Sequence, residues 1–363
     1  QNLLPNTLNA EVLSMIDIKL LEQLCLCNGI SGDEGNVRNL IINEIKDCAD
    51  DIKTDNLGNL IVFKKGKKSA KSKLMVSAHM DEVGLMVTDI TSDGYLKFDE
   101  VGGIDRRVLP GKRVCVGRNG LNGVIGVKPI HLTNGDEKTA VPKMNDMYID
   151  IGAESREDAL KYVNYGDGIN FEGDFKINGK TVVTKALDDR FGCYVLINLI
   201  KSEPEYDMYF TFVVQEEVGL RGARPAAFTV NPDFALVIES TTAADVAEVD
   251  ASHQVCNLSK GATVTVMDRA TVYDKEMISA AFELAEKNNI AVQYKRAVAG
   301  GNDSGAIHQS RGGVRTLAVS LPSRYIHAPS TAANLDDCES VLKLAKVLPV
   351  NIAGGNLAKE KRV

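Results

Sequence analysis

Apolar positions recur at helical spacing over residues 16–27 and again over 37–49, on either side of the turn NGISGDEG, where Ser31 and Asp33 are placed to cap the second helix. Gly58 breaks two short strand-like runs, the second over residues 60–63, and from Leu74 an apolar strand runs into AHMDEVG. Between residues 83 and 178 the helical pattern is absent. Short apolar runs there alternate with glycine in VGGID, LPGKRV, GRNGLNGVIG, NYGDGINF and KINGK, the pattern of a small all-β module. Helix and strand then alternate: KALDDRFGCYVLINLI, residues 185–200, reads as helix, TFVV as strand, 234–238 as strand, 275–288 as helix, TLAVSL as strand and 335–346 as helix. Such alternation builds an α/β sheet. The chain therefore divides into a discontinuous α/β domain, residues 15–82 and 179–355, interrupted by a β insertion over 83–178. Residues 1–14, polar and rich in asparagine, read as a leader outside the fold.

The length of 363 residues suits one large or two ordinary domains, and 44% apolar with 25% charged residues is a globular composition. A net charge of −7 argues against a nucleic-acid partner, and the basic run KKGKKSAKSK, residues 64–73, reads as a solvated loop. No apolar run reaches membrane-span length and no signal-peptide pattern opens the sequence, so no membrane partner and a cytoplasmic location are expected. The cysteines (Cys25, Cys27, Cys48, Cys115, Cys193, Cys256, Cys338) are odd in number and scattered, which reads as reduced thiols.

The candidate chemistry centres on TFVVQEEVGLRGA, residues 211–223. A strand covered on both faces carries Glu216 and Glu217 to its end, and Gly219 and Gly222 terminate it. Neighbouring strand residues face opposite ways, so the two glutamates share a site only where the strand gives out. A surface pair after a strand is the plain alternative. Buried together, two carboxylates require a positive partner, and a metal cation meets that need. The same position recurs elsewhere: His79 ends the strand before Asp81, His327 follows TLAVSL, Glu239 closes FALVIES, and Asp188 and Asp189 precede a helix. Strand exits are where open α/β sheets place their sites. Two histidines with three carboxylates and no cysteine suit zinc, cobalt or manganese. The surplus of carboxylates favours two ions roughly 3.5–4 Å apart, with one carboxylate left as base.

AHMDEVG, KALDDRFG, VVQEEVGLRGA, VIES, GGNDSGAIHQSRGG and RYIHAPS, in this order, resemble the motif series of the TET aminopeptidases. These are di-metal metallopeptidases, also called glutamyl or deblocking aminopeptidases, some of them labelled cellulase M. The resemblance covers residues 18–345. It implies a three-layer α/β/α zinc-peptidase domain with a PDZ-like β insertion, two divalent ions (zinc or cobalt), short peptide substrates, and dimers assembling into a dodecamer. On matching positions it makes His79, Asp188, Glu217, Glu239 and His327 the metal ligands, with Asp188 bridging. Glu216 becomes the general base and Asp81 orients His79. Many family members carry aspartate where this chain has Glu239, which keeps a deacylase or carboxypeptidase on the same fold as the alternative, with a metal-free endoglucanase third. Asp303 reads as an amine ligand, a support of the metal site or a helix cap. His308 reads as structural, and His131, in the β insertion, is only a minor candidate for an oxyanion donor to a neighbouring site. His253 receives no role.

Overall fold

A computed structural model describes residues 16–357. The leader expected at residues 1–14 lies outside the described residues.

The N-terminal helices are α1 (Ile18–Leu26) and α2 (Gly35–Ile45). Strands β1 (Asp51–Thr54), β2 (Leu60–Lys64) and β3 (Leu74–His79) follow. The insertion contains β4 (Gly84–Ile90), β5 (Leu96–Val101), β6 (Arg113–Val116), β7 (Leu121–Gly126), β8 (Tyr148–Asp150), the short helix α3 (Arg156–Ala159) and β9 (Gly168–Phe171). The chain then returns through β10 (Lys176–Asn178), β11 (Thr181–Thr184), α4 (Leu187–Lys201), β12 (Met208–Val213), α5 (Ala223–Val230) and β13 (Phe234–Thr242). It ends with β14 (Ala262–Val264), α6 (Lys275–Lys287), β15 (Val292–Tyr294), α7 (Ser304–Ile307), β16 (Arg315–Arg324), β17 (Thr331–Asn334) and α8 (Leu335–Ala353).

One sheet of eleven strands runs β1-β2-β12-β3-β13-β16-β17-β11-β10, with β14 and β15 attached beside β16. Its centre, β12-β3-β13-β16, is parallel throughout. These strands are buried on both faces, every residue of β3 included, which is why their sequences are continuous apolar runs rather than alternating ones. Helix α4 packs on β3 and β13, with α1 and α2 against it, while α8 packs on β14 and β16. The shorter α5 and α7 pair with each other over β12 and β13.

The insertion closes into a six-stranded barrel, β4-β5-β8-β7-β6-β9, with its own apolar core around Leu85, Val114, Ile149 and Ile169. Its strands do alternate; in β7 Gly123 and Ile125 are buried between more exposed neighbours. KINGK, read as part of the insertion, instead forms the β10–β11 hairpin and adds to the edge of the large sheet through Thr181–Thr184 pairing with β17. Two local expectations are also corrected. Ser31 does not cap α2; its hydroxyl donates to Asp81 Oδ2 at 2.6 Å, and the cap position is Glu34. β13 runs three residues past Glu239, because its ladder with β16 continues to Thr242.

Candidate active site

Because the four central strands are parallel, their C-terminal ends open on one crevice. His79 is the last residue of β3, Glu216 and Glu217 follow β12, Glu239 stands late in β13 and His327 follows β16. Asp188 enters from the start of α4, where the backbone departs from helical geometry at Asp188 and Asp189. Glu216 and Glu217 sit past the strand, after Gln215 at φ 56°, so strand alternation no longer separates them. Gly219 has φ +117°, and Gly222 packs so closely that a Cβ would lie 2.4 Å from the Val214 carbonyl oxygen.

Asp188 stands between the histidines. Its Oδ1 is 3.3 Å from His79 Nε2, and its Oδ2 is 3.6 Å from His327 Nε2. Glu217 Oε2 lies 3.3 Å from the same His327 nitrogen. Donor atoms of His79, Asp188 and Glu217 all fall within 4.8 Å of one another, a spacing compatible with metal binding. Glu239 lines the same cavity of about 300 Å³, together with His79, Asp188, Glu216 and His327. Its Oε1 accepts hydrogen bonds from Asn302 Nδ2 (2.8 Å) and Ser320 Oγ (3.0 Å). A larger hollow of about 630 Å³ beside α6 is lined by ordinary surface side chains such as Lys275, Glu283 and Lys287, with no histidine.

Asp81 does more than face His79. The imidazole Nδ1 lies 3.1 Å from the Asp81 carbonyl oxygen and 3.5 Å from its carboxylate. The carboxylate's shorter contacts go elsewhere: it accepts from Ser31 Oγ and from the backbone N–H groups of Glu216 (3.0 Å) and Glu217 (3.1 Å). One buried side chain thus ties the histidine strand to the glutamate turn. Burial opposes its ionisation, but His79, Ser31 and these amides outweigh burial and hold its carboxyl below the ordinary range.

The other carboxylates show the opposite balance. Burial pushes Glu217 up to about 7 and Glu239 up to about 8, and it raises Glu216 well above its ordinary value, with Asp303 and Glu217 adding to the effect. Burial alone would lower His327, yet Asp188 and Glu217 push it up to about 9. So many buried carboxylates, only partly matched by two imidazoles, fit a site completed by cations. The donor set of nitrogen and oxygen without sulfur suits borderline and hard divalent metals.

Several contacts that build the site follow no local sequence pattern. Asp189 Oδ2 accepts from the His79 backbone N–H at 3.2 Å. Arg190, fully buried, donates to the carbonyls of Met80, Leu24 and Cys27 and shares Glu82 with Lys185, locking α4 to the segment after His79. Glu34 accepts from Gln215 N at 3.1 Å. From the barrel, Gly102 approaches Glu217 and Gly103 approaches His327. His308 hydrogen-bonds only within its own turn, to the Ser304 carbonyl. Asp303 is buried close to the cavity, with neither carboxylate oxygen hydrogen-bonded among the described residues. His131 is exposed on the insertion.

A histidine and carboxylate crevice at the exits of a parallel sheet, fitted for divalent ions, defines a metal-dependent hydrolase. The chain belongs to the M42 glutamyl aminopeptidase family, whose model matches residues 58–344. It is 43% identical to a provisionally named aminopeptidase of Acetivibrio thermocellus over 90% of this chain and 96% of that protein. It is 34% identical to the lysyl aminopeptidase of Pyrococcus furiosus, over 92% of this chain and 97% of that one. Among solved structures, the TET1 peptidase of Pyrococcus horikoshii, which can assemble into a tetrahedron or a large octahedral shell, is 39% identical with a TM-score of 0.80. That match covers 93% of this chain and 98% of the other. The expected activity is therefore the right one: the protein is a metal-dependent exopeptidase that removes N-terminal residues. No helix among the described residues is long and apolar enough to cross a membrane.

Proposed function

We propose that two divalent ions, zinc or cobalt, complete the crevice. His79 and Glu239 would hold one, Glu217 and His327 the other, and Asp188 would bridge. The observation that carries this reading is the placement of Asp188, each of whose oxygens faces the Nε2 of a different histidine. Divalent ions held by these residues would supply Lewis acidity for the scissile carbonyl and the attacking water. Glu216 lines the cavity with its carboxylate free of hydrogen bonds among the described residues, so it can take the water's proton and pass it to the leaving amine. Burial raises its proton affinity, as a base that must also act as an acid requires. Asp81 positions this base through the backbone of the Glu216–Glu217 turn.

Short peptides are the substrates in this reading. The test is cleavage of one peptide with a free and with an acetylated N-terminus by metal-loaded enzyme. Release of the first residue only from the free peptide is expected. Release of C-terminal residues from the blocked peptide would move the assignment to the carboxypeptidase suggested by Glu239. An endoglucanase uses two carboxylates alone and gives the histidines around Asp188 no work.

The assembly reading is dimers building a dodecamer. It is supported by the assembling Pyrococcus horikoshii neighbour and by Ile130 and Leu132, exposed on the insertion. The barrel takes the place given to a PDZ-like module, and the helices packed on the sheet agree with a three-layer domain. A monomer by light scattering at micromolar concentration would contradict the assembly. Seven free cysteines agree with a cytoplasmic setting.

A further inference from the structure

Glu239 is held by a chain of buried side chains that the proton transfer leaves unused. Asn302 follows Gly300 and Gly301, which line the cavity, and is itself only 2% exposed. Its Oδ1 accepts from the Ser304 backbone N–H at 2.8 Å, which fixes the orientation of the amide and turns Nδ2 toward Glu239. Both protons of Nδ2 are then engaged, one by Glu239 Oε1 and one by the Tyr273 hydroxyl, each at 2.8 Å. Asp268 Oδ2, at 3.5 Å, is a longer contact of the same group. Because Tyr273 accepts from Asn302, its own proton goes to Asp268 Oδ2 at 2.6 Å, while Asp268 Oδ1 accepts from the backbone N–H groups of Ala270 and Thr271. Every hydrogen bond of the chain therefore has a fixed direction.

The consequence falls on the two oxygens of Glu239. Oε1 also accepts from Ser320 Oγ at 3.0 Å, and Ser320 is the residue opposite Glu239 in the β13–β16 ladder. A carboxylate oxygen whose lone pairs are taken by two donors is a poor metal donor. No hydrogen bond reaches Oε2 among the described residues, so that oxygen is left for an ion. A glutamate side chain loses rotamer freedom when it is fixed, and here the fixing is done before any ion arrives. The same chain is built into the cavity wall. The Arg269 N–H donates to the Gly300 carbonyl at 3.0 Å, and a Cβ at Gly305 would lie 2.6 Å from that of Ala270.

We propose that Asn302 is a positioning residue for one of the two metal positions: it occupies Oε1 of Glu239 so that Oε2 alone faces the ion, and Tyr273 and Asp268 hold it there. The proposal rests on the two-ion reading, in which Glu239 serves a single ion, and counting ions separates the two. Equilibrium dialysis against buffered cobalt, followed by elemental analysis, should give close to two ions per chain in the unmodified protein. Asn302→Ala should weaken one position by about 10–100-fold, the scale for losing a group that orients a ligand, and leave the other unchanged. At limiting cobalt its count should fall to about one. Tyr273→Phe keeps the contact between Asn302 and Glu239 but removes the hydroxyl that steadies the amide, so the same position should weaken by less. In Glu239→Ala, which lacks the ligand, adding Asn302→Ala should cause no further loss of metal. Turnover of Asn302→Ala should recover when cobalt is raised, because Glu216 and Asp188 are untouched.

Unchanged affinity at both positions in folded Asn302→Ala would overturn the proposal and leave the two-ion reading intact. Equal weakening of both positions, or a further loss when Asn302→Ala is added to Glu239→Ala, would show that Asn302 supports the crevice as a whole and would also overturn it. If Asn302→Ala does not fold, Tyr273→Phe decides by the same measurement, with unchanged affinity counting against the proposal. An unmodified protein that binds no cobalt would overturn the two-ion reading and the proposal with it.

Discussion

The large sheet and the inserted barrel are both built from short apolar strands, yet every ionisable group placed in the site comes from the exits of the sheet or from α4, which packs on it. Pairing direction explains the difference. In the parallel run β12-β3-β13-β16 all C-terminal ends open on the same side, so residues far apart in sequence meet in one crevice. In the antiparallel barrel successive ends go to opposite rims and closure leaves no crevice between strands. The barrel instead contributes shape. The loop after β5 brings Gly102 against Glu217 and Gly103 near His327, and at Gly102 a Cβ would lie 2.9 Å from Val83 and 3.2 Å from Glu217.

The largest effect should come from the turn after β12. Glu216→Gln keeps the shape and removes the base, so turnover should fall about 10²–10⁴-fold with both metals retained. Metal loss in this variant, with intact metal in Glu217→Gln, would mean that the two neighbours have exchanged roles. Nothing comparable should follow from changing an ionisable residue of the barrel such as Asp99, which is exposed on β5. Steady-state kinetics with elemental analysis checks all three variants.

The second effect is on pH dependence. Glu217 at about 7 and Glu239 at about 8 must lose protons for metal to bind, and so must His327 at about 9. Apparent metal affinity should therefore climb as pH rises through this window, and activity should fall in acid. For stability the sign is equally definite. The folded metal-free protein holds these protons more tightly than the unfolded chain does, so the contribution of these three groups to stability is fully present below their unfolded values and is lost as pH rises through the folded ones. Asp188, held low by His327 and His79 against burial, acts the other way only in strong acid. Melting temperatures of metal-free and metal-loaded protein should diverge from about pH 6 upward; parallel curves would contradict the assignment.

The smallest effect compares two glycines of the insertion. Gly102 and Gly111 have φ of +84° and +79°, but a Cβ at Gly102 would meet Val83 at 2.9 Å and Glu217 at 3.2 Å, whereas one at Gly111 meets nothing within 4 Å. Alanine should cost about 1–2 kcal/mol of backbone strain at either position, read by denaturant unfolding. Only Gly102→Ala should also reduce activity, because only there does the strain reach Glu217, a metal ligand in the proposed function. Equal activity losses would mean that the barrel acts on the site through its stability alone.

The strand exits were legible in the sequence because each apolar run is long enough to stand out and a residue that does not belong in a core lies late in it or shortly after it. His79, Glu217, Glu239 and His327 all announce themselves this way, and the glycine-punctuated stretch announces the insertion. What could not be read were contacts between residues distant along the chain. Asp81 reaching the amides of Glu216 and Glu217, Arg190 gathering the carbonyls of Leu24, Cys27 and Met80, and Lys295 entering the cavity follow no local period. β10 was misplaced for a related reason. A three-residue hairpin arm has the same pattern in either unit, and only its pairing partner decides where it belongs.

The central claim is that Asp188 is shared by two ions, and metal stoichiometry in Asp188→Asn tests it most directly. Elemental analysis of the unmodified protein should give close to two divalent ions per chain. Replacing the carboxylate that faces both histidines should weaken both positions together, so that the count falls towards zero at limiting metal, with the fold intact by circular dichroism. Two ions retained in Asp188→Asn, or none in the unmodified protein after metal-replete preparation, would contradict the account.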